Sequence, residues 1–307
     1  MTIDIITLYD LLVLRTHEQV MAYIKSKVDV TRWIVLESDL YSVFMPRNIK
    51  DRKPALCAHT DVVQQVRRRN DLGIKKQILF NKQKNTGLGA DDRAGIYVLL
   101  KTMISNPDDF IFCFFDLEES AGQGSQSFGG ECIQNHTSLW VGFDRNGDSD
   151  IATYNYDNKD LIKSIDNNLF PGYESAMGSF TDVATLAQNT QIACINFSVG
   201  FYKEHTSGET LSLVGLNKVF SVIPILRTIT DKKEVNMVGS YLDPHDYPHS
   251  LYGRYSYGAK RATEMYYCPD CATFHWEQDV MENNENGDYV MCPNCYCFLE
   301  KEEICDE

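Results

Sequence analysis

The sequence predicts a three-layer α/β fold: a mixed, mostly parallel sheet with helices on both faces, followed by a small C-terminal module of another kind. Three observations predict it. All-apolar runs recur over the first 230 positions and read as strands buried on both faces. Between them lie segments with apolar residues at helical spacing, and strands alternating with helices build parallel sheets. Two CxxC pairs within residues 264–307 stand outside that rhythm.

Taken in order, residues 7–28 carry apolar positions at helical spacing and predict one or two amphipathic helices. Extended segments follow around WIVLES and LYSVFMP. Then come the strand ALCA (55–58), the helix RAGIYVLLKTMI (93–104), the strand FIFCFF (110–115) and the strand LWVGF (139–143). IATYNY reads as extended, DNKDLIKSIDN and FTDVATLAQ (180–188) as helices, and IACINFSVGF (192–201) as a strand. LSLVGLNKVFSVIPILRTIT (211–230) predicts a long closing helix with a break near Pro224. Residues 231–263, with five tyrosines between Tyr241 and Tyr257, read as a connecting segment packed on a surface.

At 307 residues, 43% apolar and 23% charged, the chain has an ordinary globular composition and room for one large domain plus a small one. Its formal charge of −14 excludes general binding to nucleic acid or anionic membrane. The charge is lopsided: residues 264–307 hold twelve acidic side chains against Lys301 alone. No apolar run reaches the length of a membrane span, and the N-terminus lacks the layout of a signal peptide. Cys57, Cys113 and Cys194 fall in strand-like runs, where cysteine acts as a small hydrophobe. The expectation is a reducing cytoplasm.

The polar residues that interrupt this scheme fall in five groups. His59 and Asp61 follow ALCA in AHTD, and Asp91 and Asp92 stand in GLGADDRAG. Glu118 and Glu119 follow FIFCFF, Asp144 ends LWVGF in FDRNG, and His205 follows FSVGFYKEHT. Four groups leave the carboxyl ends of buried strands, and the fifth opens a helix between two of them. In an open α/β sheet those ends share one edge, where ligands bind. Two histidines and several carboxylates at one edge need a positive charge, and zinc suits an N/O ligand set, as do Co and Mn.

These motifs, in this order, resemble the co-catalytic dinuclear zinc exopeptidases, the superfamily of peptidase T, aminoacylase-type enzymes and single-domain zinc aminopeptidases. The likeness covers residues 5–230 and rests on HTD, GADDRAG, LEESAGQGS, FDRNG with GSFTD downstream, and VGFYKEHT. It implies a zinc exopeptidase-like fold with His59 and Asp144 on one zinc, Glu119 and His205 on the other, and Asp91 bridging them. It also implies Glu118 as the general base and Asp61 as the residue that orients His59 through its second ring nitrogen. Asp92 then belongs to the start of the helix, where an acidic group is favourable. Only 61 positions separate Asp144 from His205, so no inserted lid domain is expected, and an oxyanion donor must come from elsewhere, with Tyr202 or a backbone N–H as candidates.

CPDC (268–271) and CPNC (292–295) are separated by twenty residues. That spacing predicts a zinc ribbon, with Cys268, Cys271, Cys292 and Cys295 around one structural zinc that supplies folding energy to a module too small for a core. Its acidity repels phosphates and suits a protein partner or a self-contact. The expected organisation is therefore a catalytic domain over 1–230, a connecting segment over 231–263 and an acidic ribbon over 264–307. The expected activity is hydrolysis of a terminal amide bond in a small peptide or an acylated amino acid. Two alternatives stand beside the exopeptidase: a deacylase or amidase on a non-peptide amide, and a non-catalytic binding module that uses the ribbon.

Overall fold

The computed structural model describes residues 3–154, 159–178 and 180–231, the side chains of Lys159 and Asp160 apart, together with the backbone of five short strands beyond residue 264. The chain divides into two compact units, Met1–Leu242 and Asp243–Glu307. In chain order the first unit contains α1 (Ile5–Val13), α2 (His17–Lys27), β1 (Trp33–Glu37), β2 (Tyr41–Pro46), β3 (Lys53–His59), β4 (Leu72–Lys75), β5 (Ile78–Asn81), α3 (Ala90–Ser105), β6 (Ile111–Phe115) and α4 (Gln123–Phe128). Then follow β7 (Thr137–Arg145), β8 (Asp150–Thr153), α5 (Lys159–Asp166), β9 (Glu174–Met177), α6 (Asp182–Thr190), β10 (Cys194–Ser198), β11 (Phe201–Tyr202), β12 (Thr210–Ser212), α7 (Leu213–Val219) and α8 (Ile223–Leu226).

An eight-stranded sheet in the order β1-β2-β6-β3-β7-β10-β8-β9 forms the middle layer. Its four central strands, β6, β3, β7 and β10, run parallel, while β1, β2 and β8 join antiparallel. The side-chain alternation of a strand sorts the apolar residues into two cores. Leu56, Ala58, Phe112, Phe114, Val141 and Phe143 face α1, α2, α3 and α7, where Leu8, Ile24, Leu99 and Leu216 meet them. Ala55, Cys57, Ile111, Cys113, Phe115, Trp140 and Cys194 face α4 and α6, where Phe128, Val183 and Leu186 meet them. This accounts for FIFCFF having no polar face: every residue of β6 is covered on whichever side it points. Each buried phenylalanine contributes about 1.5–3 kcal/mol relative to exposure. The three cysteines of these strands are buried free thiols.

Of the one or two helices expected over residues 7–28, two form. Asp4 accepts from Thr7 N at 3.2 Å to start α1, extended Leu14 ends it, and Thr16 accepts from Gln19 N at 3.3 Å to start α2. The long helix expected over 211–230 does not form as such. Its first residues pair as β12, α7 ends at Val219, and Pro224 stands in the first turn of α8, a place that tolerates its missing N–H. The strand expected over 192–201 is likewise divided, because the chain turns at Gly200, whose φ of +99° and close approach to Ser212 O and Leu216 N leave no room for a Cβ. A small antiparallel sheet, β11-β12-β5-β4, lies outside the predicted scheme.

In the second unit the backbone of Met265–Cys268 pairs antiparallel with Thr273–Trp276 and with Glu300–Lys301, and Met281–Glu282 pairs with Val290–Met291. Of the expected ribbon ligands only the backbone of Cys268 is included; Cys271, Cys292 and Cys295, like the segment 232–264, lie outside the described residues.

Candidate metal centre

The parallel strands bring their carboxyl ends to one edge of the sheet, where the five polar groups converge. His59, the last residue of β3, lies beside Phe115, the last of β6, and β6 leads directly to Glu118 and Glu119. Asp144 stands near the end of β7, and His205 follows β11. Asp91 precedes the regular part of α3; the Asp91–Asp92 peptide is cis, and both residues have non-helical backbone angles.

Asp91 occupies the middle of the site. Its Oδ1 is 3.0 Å from His59 Nε2 and its Oδ2 is 3.1 Å from His205 Nε2. His59 Nε2 is also 3.4 Å from Asp144 Oδ1, and His205 Nε2 is 2.7 Å from Glu119 Oε1. Two donor triads result, His59–Asp91–Asp144 and Asp91–Glu119–His205, each with its ligand atoms within 4.8 Å of one another. A third grouping, His59 with Glu118 and Glu119, meets the same limit, so proximity alone does not separate the two glutamates. Their partners do. Glu119 is held by His205, whereas the carboxylate of Glu118 makes no hydrogen bond among the described residues.

The supporting contacts explain why the side chains stand where they do. Asp61 Oδ1 is 3.2 Å from His59 Nδ1, which assigns that nitrogen the proton and leaves Nε2 to face the site. The same carboxylate accepts Glu118 N and Glu119 N, both at 3.0 Å, so one side chain orients the histidine and both glutamates. Leu117, just before them, has a φ of +57°. Asp92 turns away from the cavity: Oδ2 accepts His59 N at 3.2 Å and Oδ1 accepts Gly95 N at 2.8 Å, capping the helix proper. A Cβ on Gly95 would collide with the Asp92 carboxylate and with Phe143 O, which requires glycine there.

Electrostatically the edge is short of positive charge. Burial, reinforced by the neighbouring Asp144, pushes the Glu118 carboxyl up to about 9. Burial pushes Asp144 up to about 7 despite the pull of His59. Burial also opposes ionisation of Asp91, yet hydrogen bonds from both imidazoles outweigh it and hold that carboxyl low. His205 is raised to about 9, chiefly by its hydrogen bond to Asp91. Burial disfavours a charge on His59, but Asp144, Asp61 and Asp91 together hold it well above the usual range. The fully buried Arg93 gives its N–H groups to Thr60 O and Leu14 O, behind the site. A set of imidazole nitrogens and carboxylate oxygens, overloaded with negative charge, could hold a divalent metal cation.

A cavity of about 300 Å³ opens over these groups. Tyr154, Phe180, Phe201, Arg145, Asn146 and Glu204 also line it. Tyr202, the side-chain candidate for an oxyanion donor, is not among its lining residues. Four residues outside the predicted ligand set support the site. Thr181 stands at the N-cap of α6 but gives its hydroxyl to Asp144 Oδ2 at 3.3 Å. Asn196 Oδ1 accepts Asp144 N at 2.9 Å, and Gln64 links Gly87 N to His205 O. Glu209, whose carboxyl burial pushes up to about 7, accepts backbone N–H groups ahead of α3. Thr181 lies within GSFTD, while Asn196, Gln64 and Glu209 belong to none of the quoted motifs.

No protein-family profile matches the chain, and no curated protein matches it in sequence. Solved structures match its fold. The aminopeptidase PepT of Bacillus cereus superposes with a TM-score of 0.57 at 12% identity, over 73% of this chain and 97% of that one. A tripeptidase of Staphylococcus aureus gives 0.56 at 14% identity, over 74% and 96%. A peptidase of Pyrococcus horikoshii that can assemble into a tetrahedron or a large octahedral shell gives 0.52 at 14%, over 73% and 98%. At these identities the likeness is one of fold.

Proposed function

We propose that this chain is a metallohydrolase that cleaves a terminal peptide bond, with two divalent ions held at the sheet edge. The observation that carries the reading is Asp91, whose two carboxylate oxygens face a different histidine each and so join two donor triads. His59 and Asp144 would hold one ion, Glu119 and His205 the other, with Asp91 common to both. When bound, such ions lower the pKa of water and polarise the scissile carbonyl. The matched folds belong to an aminopeptidase, a tripeptidase and a further peptidase, which supports a peptide substrate. A cavity of about 300 Å³ is at the small end of ligand pockets and suits a short substrate or a terminal residue.

Glu118 is the proton carrier in this reading. Its carboxylate has no hydrogen-bond partner among the described residues and lines the cavity beside the donor triads. It takes a proton from the attacking water as the C–O bond forms, and returns it to the departing nitrogen as the C–N bond breaks. Cations at the neighbouring carboxylates would bring it down from the high value that burial and Asp144 impose, so that it can accept. Asp61 keeps the His59 tautomer and fixes the backbone from which Glu118 projects. The CxxC spacing supports one further structural zinc on Cys268, Cys271, Cys292 and Cys295.

The test is a panel of dipeptides, tripeptides and N-acyl amino acids presented to zinc-loaded and cobalt-loaded protein, with released amines measured. Release of a terminal residue from peptides is expected. Cleavage confined to N-acyl amino acids would replace the peptidase by a deacylase, and no cleavage at two ions per site would overturn the hydrolase.

A further inference from the structure

We propose that Glu209 is a positioning residue for the bridging aspartate: its carboxylate gathers four consecutive backbone N–H groups that end at Asp91, and so ties the Asp91 loop to the loop that carries His205. The inference rests on the reading of Asp91 as the shared ligand. Oε2 accepts Leu88 N at 2.9 Å and Gly89 N at 2.7 Å, while Oε1 accepts Ala90 N at 2.7 Å and Asp91 N at 3.0 Å. Glu209 is only 3% exposed, and it makes no ion pair among the described residues.

A buried carboxylate without a cation is costly, and its cost is offset only when its lone pairs are filled. Here the four N–H groups fill them. The converse also holds. Four N–H groups of one loop, pointing at one spot, need two acceptor oxygens side by side, which among side chains only Asp and Glu supply. The loop is shaped for that approach. A Cβ on Gly87 would lie 2.9 Å from Glu209 Oε2, and Gly89 holds a φ of +77° that favours glycine.

The last of the four donors belongs to Asp91 itself, so a shift of the Glu209 carboxylate moves the residue that faces both histidines. Glu209 comes four positions after His205, and Gln64 repeats the tie, joining Gly87 N at 3.0 Å to His205 O at 3.1 Å. The two segments meet nowhere in the large sheet. In the small sheet β12 pairs with β5, and the Glu209 and Gln64 contacts extend that tie to the segments that carry Asp91 and His205.

The experiment compares wild type with Glu209→Gln by calorimetric titration of the metal-free protein with Zn²⁺, by the visible spectrum of the Co²⁺-loaded form, and by steady-state kinetics on a cleaved peptide. Gln keeps the length but offers one acceptor oxygen for four donors. Partners of this kind change metal affinity or activity by about 10–100-fold when replaced. We expect a loss of that size in affinity for the ion that needs His205, an altered Co²⁺ spectrum, and a fall in kcat at nearly constant KM. A purely structural Glu209 would lower Tm and leave the affinity, the spectrum and kcat as in wild type; that result overturns the inference and spares the function. A wild type that binds no ion at this edge overturns both. Should Glu209→Gln fail to fold, Gly87→Ala pushes on the same carboxylate oxygen and is expected to weaken the same ion, and unchanged affinity there would overturn the inference.

Discussion

His59 and Asp144 face each other at 3.4 Å on the floor of the site with His59 only 1% exposed, whereas His205, 2.7 Å from Glu119, is 45% exposed at the rim. The floor is also the better braced half. Asp61 holds the second nitrogen of His59, and Asn196 and Thr181 hold Asp144. His205 Nδ1 has no partner among the described residues, and His205 stands at a φ of +60°, which few non-glycine residues adopt. Charges interact more strongly where water is excluded, and braced ligands lose less freedom when an ion binds. The floor should therefore bind its ion tightly and the rim should exchange its own. Among the described residues, Asp91 is the side chain common to both triads.

The largest expected effect breaks that comparison at its joint. Asp91→Ala should cost both ions and all measurable hydrolysis, as seen by metal analysis and by product release. Retention of one tight ion in that variant would mean that the floor stands without the bridge. Glu118→Gln should do the opposite: both ions stay, KM changes little, and kcat falls by about 10²–10⁴-fold, the usual contribution of a general base. Metal loss in this variant equal to that of Glu119→Gln would show that the two glutamates share one role. That would remove the proton carrier from the scheme.

The floor was largely legible in the sequence, because HTD, GADDRAG, LEES and FDRN each leave a strand end or open a helix that its own apolar pattern announces. The rim was legible as Glu119 of LEES and as His205. What holds it, Glu209, is separated by 118 to 121 positions from the N–H groups it accepts, a relation no local pattern carries. The small sheet was missed for a related reason. Strands such as LGIK, ILFN and TLS are three or four residues long, too short to display a period of two against their neighbours. Residues 211–230 misled in the other direction: their apolar content suits a helix, yet Thr210–Ser212 are drawn into β12 by pairing with Ile78–Phe80, a tertiary contact that overrides local preference.

A next, smaller effect should separate the halves directly. His205→Ala is expected to weaken one ion and to regain part of its activity at high Zn²⁺, since the floor remains intact. His59→Ala should not regain activity in that way, because it opens a buried site and removes the imidazole partner of Asp61 Oδ1. Equal rescue of both variants, measured as rate against free Zn²⁺, would erase the difference between floor and rim.

The smallest effect is the sharpest probe of bracing. Thr181 Oγ1 donates to Asp144 Oδ2 at 3.3 Å, a long hydrogen bond, from a helix N-cap where it makes no capping bond. Thr181→Val keeps the shape and removes only that donor, so α6 loses no cap. A hydrogen bond of this kind contributes about 1 kcal/mol, or roughly fivefold in an equilibrium constant. Because Asp144 belongs to the floor triad alone, the loss should fall on the tighter ion and leave the rim ion at wild-type affinity. Two-site titration with Zn²⁺ reads both constants from one sample. A change shared by both ions would mean that Asp144 acts through Asp91 on the whole site, so that floor and rim are one coupled unit and the difference in their exposure has no counterpart in their affinities.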